Sequence, residues 1–135
     1  MKKNVCGIIL AVLGAAIAAG AATVLGPCVH EDGSAAACTA AGTAVLCGGC
    51  VLAALAAAIL CVRSPAARTA LFFVALCACA VGTALPGTIF PLCKMDTMRC
   101  RAVMQPAAII LFAAALIVSA CGIITERKRA GRNRA

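Results

Sequence analysis

Four apolar runs, each long enough to cross a bilayer, constrain this chain more than any other feature. They extend from Val5 to Leu25, from Ala41 to Val62, from Thr69 to Phe90 and from Val103 to Ile124, and none contains Asp, Glu, Lys, Arg or His. About 20 residues at 1.5 Å each cover the roughly 30 Å of hydrocarbon. In lipid every peptide group must pair within its own segment, and the alternating polarity of a barrel strand is absent, so the runs predict helices. The expected fold is all-α, an integral membrane four-helix bundle in one domain, with a basic tail over 125–135. Only 12% of the residues are charged, against about 25% in an ordinary soluble domain.

Charge gives the orientation. Lys2 and Lys3 precede the first run, Arg63 and Arg68 flank the second connection, and Arg127, Lys128, Arg129, Arg132 and Arg134 follow the fourth. These residues share one side of the membrane, with Lys94, Arg99 and Arg101 on the other. The positive-inside rule therefore places both termini in the cytoplasm. The net charge of +8 follows this orientation, so no nucleic-acid partner is expected. The tail reads as a stop-transfer signal and an anchor to lipid headgroups. Lys2-Lys3 before an Ala-rich run also fits a cleavable leader, but the run exceeds an h-region of about 7–15 residues, so an uncleaved first helix is expected.

The helices lack bulk, and small side chains let helix backbones approach closely in lipid. Ala15 and Ala19, and Ala53 and Ala57, have the small-xxx-small spacing, although plain compositional bias explains it as well. The absence of acids and bases from the apolar runs argues against a proton relay or ion pump.

The two external loops resemble each other. One reads Gly26-Pro27-Cys28-Val29-His30-Glu31-Asp32, then reaches Cys38; the other reads Phe90-Pro91-Leu92-Cys93-Lys94-Met95-Asp96-Thr97-Met98-Arg99-Cys100. In each, Pro ends a helix, a Cys follows, and a second Cys precedes the next helix. This plan predicts two helical hairpins related as a parallel internal repeat. Outside the cell such cysteines form disulfides. Cys28–Cys38 and Cys93–Cys100 close local loops; the alternative connectivities would link the two loops. Structural disulfides are the first expectation, worth about 2–4 kcal/mol each. A metal role would use Cys28, His30, Cys38, Cys93 and Cys100, with Glu31, Asp32, Met95 and Met98 nearby, but the spacing is no standard zinc pattern.

Cys6, Cys47, Cys50, Cys61, Cys77, Cys79 and Cys121 lie along the runs. Cys47-Gly48-Gly49-Cys50 has the spacing of a dithiol redox motif. Cys47 lies about 9 Å into its run, away from aqueous thiols, and packing as a small apolar residue is the expectation for these seven.

Phe90-Pro91-Leu92-Cys93, Met98-Arg99-Cys100-Arg101 and Gln105-Pro106-Ala107 resemble the second-half signature of the domain of unknown function 4418 family, small prokaryotic membrane proteins with four spans. Pro27-Cys28 and Cys38-Thr39 resemble its first half. The chain departs from the pattern at Ala36 and Thr39, where the family tends to have Met and His. The resemblance implies a prokaryotic plasma-membrane location. It supplies no activity, and it implies a role associated with export-type ABC transporters.

The expected function is a structural or accessory subunit without enzymatic activity or cofactor. The alternative is a membrane thiol–disulfide oxidoreductase, similar in architecture to disulfide bond formation protein B and vitamin K epoxide reductase. It would exchange electrons through Cys28, Cys38, Cys93 and Cys100 and pass them to a quinone, with Lys94, Arg99 and Arg101 favouring thiolates. Metal handling comes third.

Overall fold

The computed structural model describes residues 5–23, 38–86, 88–89 and 100–134. Helix α1 spans Val5–Ala22, α2 Cys38–Cys61, α3 Pro65–Ala84 and α4 Gln105–Arg134, the last preceded by a π-helical turn over Cys100–Met104. All four are long and apolar enough to cross a membrane. Each helix packs against its chain neighbours, and α4 closes the ring onto α1. The most extensive contacts lie within the pairs α1–α2 and α3–α4, so the bundle consists of two antiparallel hairpins.

The helix ends follow local chemistry rather than the limits of the apolar runs. Helix α3 starts at Pro65, four residues before its run, with Ser64 in extended conformation just ahead. Proline suits that place, because its ring presets the helical φ and the missing N–H has no partner to lose in the first turn. The connection from α2 is only residues 62–64, and Arg68 fastens it by donating from Nε to the Val62 carbonyl at 2.6 Å. That carbonyl lies just past the end of α2, where a cation also complements the helix dipole. Helix α3 stops at Ala84, short of the run's end at Phe90: Leu85 keeps helical geometry and donates to the Val81 carbonyl, but Pro86 has no N–H with which to continue the ladder. The π-helical turn precedes Pro106, which cannot donate to a carbonyl one turn back and whose ring crowds it. Helix α4 does not stop at Ile124 but carries the basic tail to Arg134 as continuous helix.

Inside the bundle, small residues dominate. Ala41, Ala56, Ala75, Ala108 and Ala115 are buried, together with Leu10, Ile17, Val45, Leu52, Ile59, Met104 and two large rings, Phe72 and Phe112. The bulk that insertion requires is turned outward: Ile8, Val12, Val51, Phe73, Val74, Val81, Ile110 and Ile117 are exposed on the helix surfaces. In lipid this distribution carries no penalty, since hydrocarbon surrounds those faces and packing decides which residues go inside. The hydroxyls are satisfied within their own helices, as a bilayer demands. Thr23 donates to Ala19, Thr43 to Thr39, Thr69 to Pro65, Ser119 to Ala115 and Thr125 to Cys121.

The close contacts come from glycines. A Cβ placed on Gly14 would lie 2.6 Å from the backbone nitrogen of Ala53, and one on Gly49 would lie 2.6 Å from that of Ala18. The seam of α1 and α2 therefore uses Gly14 with Ala18 and Gly49 with Ala53. Both pairs have small-xxx-small spacing, but the register differs from that expected: Ala15, Ala19 and Ala57 are exposed on outer faces. In the second hairpin, a Cβ on Gly82 would meet the Phe112 ring at 2.4 Å, and one on Gly122 the Phe72 ring at 2.5 Å.

Candidate functional site

The expected site residues at the loop end are only partly covered. Cys28, His30 and Cys93 lie outside the described residues, as do Lys94 and Arg99; Cys38 and Cys100 are described in backbone only. Cys38 is the first residue of α2 and Cys100 the first of the turn that leads into α4. Both helices run away from the same end of the bundle, so these two positions share that end.

Seven further cysteines are free thiols. Cys47 and Cys50 share one face of α2, as their spacing requires, and that face is exposed on the outside of the bundle. The inner face of α2 at this level is taken by Gly49, pressed against Ala18. Cys61, Cys77 and Cys121 are likewise exposed. Cys79 alone is fully buried, and its side chain faces Ser119, which is also buried. Ser119 donates to the Ala115 carbonyl at 2.8 Å, so its hydroxyl is met within its own helix at the α3–α4 seam. Among the described residues no group of His, Cys, Asp and Glu is gathered as a metal site.

The opposite end holds what the sequence reading missed. There the start of α1, the connection of α2 to α3 and the last three turns of α4 come together, bringing Arg63, Arg68, Arg127, Lys128, Arg129 and Arg132 to one end of the bundle. Glu126 is also here, and only 5% of its surface is exposed. Its Oε1 accepts a hydrogen bond from Arg129 Nη1 at 3.2 Å, one helical turn further on. A cavity of about 180 Å³ opens beside this pair, lined by Val5 and Cys6 of α1, Phe72 of α3, and Gly122, Thr125, Glu126 and Arg129 of α4. Gly122 lets the Phe72 ring press close against α4, since a Cβ there would lie 2.5 Å from it. A groove of about 300 Å³ adjoins it through Thr125 and Arg129 and is lined further by Ile124, Lys128 and Arg132. One clue to Glu126 was in the sequence. It is an acid set at the end of an apolar run and three residues before an arginine, a spacing that pairs side chains on a helix.

Chemically the two ends differ. The loop end has a cysteine at two helix starts, while the basic end offers a buried carboxylate, a guanidinium and an aromatic wall around one small cavity. Searches of characterised proteins and of solved structures each returned no match. The family model for the domain of unknown function (DUF4418) matches residues 10–125, and the chain belongs to that family.

Proposed function

We propose that this multi-pass protein is a non-catalytic accessory subunit of a prokaryotic plasma membrane assembly, with cytoplasmic termini and external loops closed by Cys28–Cys38 and Cys93–Cys100. The observation that carries this reading is the reach of α4. Thirty residues make a helix of about 45 Å, which outruns the hydrocarbon by several turns. The excess is a helical arm with Arg127, Lys128 and Arg132 exposed. An ordered, basic arm rigidly joined to a packed bundle is suited to dock on an acidic surface at the membrane, such as that of a transporter's cytoplasmic domain. Oxidised loop cysteines would serve as staples on the other side.

A second reading, the thiol oxidoreductase, is favoured by one observation. Cys38 and Cys100 open helical elements at the same end, and a helix N-terminus favours an anion such as a thiolate. Alkylation mass mapping of Cys28, Cys38, Cys93 and Cys100 in intact membranes, before and after mild reduction, separates the two. The accessory reading expects all four blocked and resistant to a reductant of glutathione-like potential. A pair that opens readily and traps a mixed disulfide would overturn it in favour of redox exchange.

A further inference from the structure

Independently of that reading, we infer that the cavity between α1, α3 and α4 binds the headgroup of an ammonium-bearing phospholipid, its ammonium at Glu126 and its phosphate over Arg129, Lys128 and Arg132. Burying a carboxylate is costly unless charge and hydrogen bonds compensate it. Here one wall of a cavity of about 180 Å³ is that carboxylate with its Arg129 partner, and the rest is Phe72, Val5, Cys6, Gly122 and Thr125. The neighbouring groove has the opposite sign, with Lys128 and Arg132 exposed along it and Arg129 common to both. A ligand that fills both must carry a cation and an anion a few ångströms apart. A phosphoethanolamine head has that form. A head with phosphate alone would leave Glu126 without a cation from the ligand, and a trimethylated ammonium has no N–H to donate to the carboxylate.

The place in the membrane selects a lipid over a soluble zwitterion. Glu126 follows the apolar run by two residues, at the level where headgroups lie. Val5, 58% exposed, and Ile124, 55% exposed, border the cavity and the groove and offer apolar surface to acyl chains. Basic pockets between helices on the cytoplasmic side are a general means of holding lipid heads.

The test is native mass spectrometry of the full-length protein, released from micelles containing phosphatidylethanolamine and phosphatidylcholine in equal amounts. One phosphatidylethanolamine per chain should be retained, with about a tenfold preference, as expected for hydrogen bonds to a charged acceptor. Glu126→Gln should abolish the preference, and Lys128→Gln with Arg132→Gln should lower retention of both lipids. Cys6→Leu fills the cavity without changing a charge and should also lower retention, which covers the case in which Glu126→Gln does not fold. Equal retention of the two lipids, a preference that survives Glu126→Gln, or retention unchanged by Cys6→Leu would each overturn the assignment. Displacement by free phosphoethanolamine would overturn the lipid source in favour of a soluble zwitterion.

Discussion

In the hairpin of α1 and α2 the helix backbones touch, whereas in that of α3 and α4 two phenylalanine rings stand between them. Both seams have the same reciprocal logic. Gly14 receives the backbone at Ala53 while Gly49 receives that at Ala18; Gly122 receives Phe72 while Gly82 receives Phe112. The obstruction at Gly14 and Gly49 is main chain, which cannot step aside. At Gly82 and Gly122 it is a side chain, which can be exchanged. Water offers no help in holding either pair together within the bilayer, so association depends on fit. The first hairpin achieves fit by proximity and the second by bulk. Phe112 joins them, because its ring also reaches Gly48 of α2, 3.0 Å from where a Cβ would sit.

The sharpest way to break this comparison is to add side chains at the glycines. Gly14→Val or Gly49→Val should separate α1 from α2, at a cost beyond the about 1–3 kcal/mol usual for overpacking. Reversible unfolding in mixed micelles measures it, and no truncation of residue 53 or 18 should restore stability, since the clash is with backbone. Next comes Phe112→Ala, which empties the place shared by α2, α3 and α4 and should cost about 3 kcal/mol. It should loosen contacts between hairpins as well as within the second. Gly82→Ala should cost about 1–3 kcal/mol and, unlike the changes at Gly14 and Gly49, should be relieved by Phe112→Leu. That relief is a coupling that a double-mutant cycle reads directly. If Gly82→Ala and Phe112→Leu prove additive, the ring is not what limits the second seam.

The architecture was legible because hydropathy and length suffice for it: runs of about 20 apolar residues leave one choice of secondary structure. The seams were less so. In helices where every face carries Ala, spacing alone does not tell Gly14 and Ala18 from Ala15 and Ala19, and only the partner helix decides. The second seam was hidden for a different reason. Nothing in the sequence separates Phe72 and Phe112 from Phe73, yet the first two lie inside while Phe73 is 60% exposed. Glu126 was overlooked because a tail rich in Arg and Lys reads as solvated, and its burial depends on α4 remaining helical past Ile124, against the start of α1. The outward position of Cys47 and Cys50 follows from Gly49, whose demand for contact with Ala18 fixes the rotation of α2.

The smallest expected effect concerns the polar pair that distinguishes the second seam. Ser119 and Cys79 are buried opposite each other there, and among the described residues Ser119 is the only buried hydroxyl in the core. Hydrogen bonds between helices in membranes are worth about 0.6 kcal/mol on average, because the separated helices find other partners. Ser119 already has one, the Ala115 carbonyl of its own helix. Ser119→Ala should therefore cost about 0.5 kcal/mol, mostly by removing the one polar neighbour of the Cys79 thiol. Cys79→Ala leaves the Ser119 hydroxyl bonded to Ala115 and should cost chiefly the volume of the lost sulfur. The double variant removes both polar groups and should be less destabilised than the two single changes added together. Strict additivity would mean that the thiol and hydroxyl only touch, and that the second hairpin, like the first, is held by shape alone.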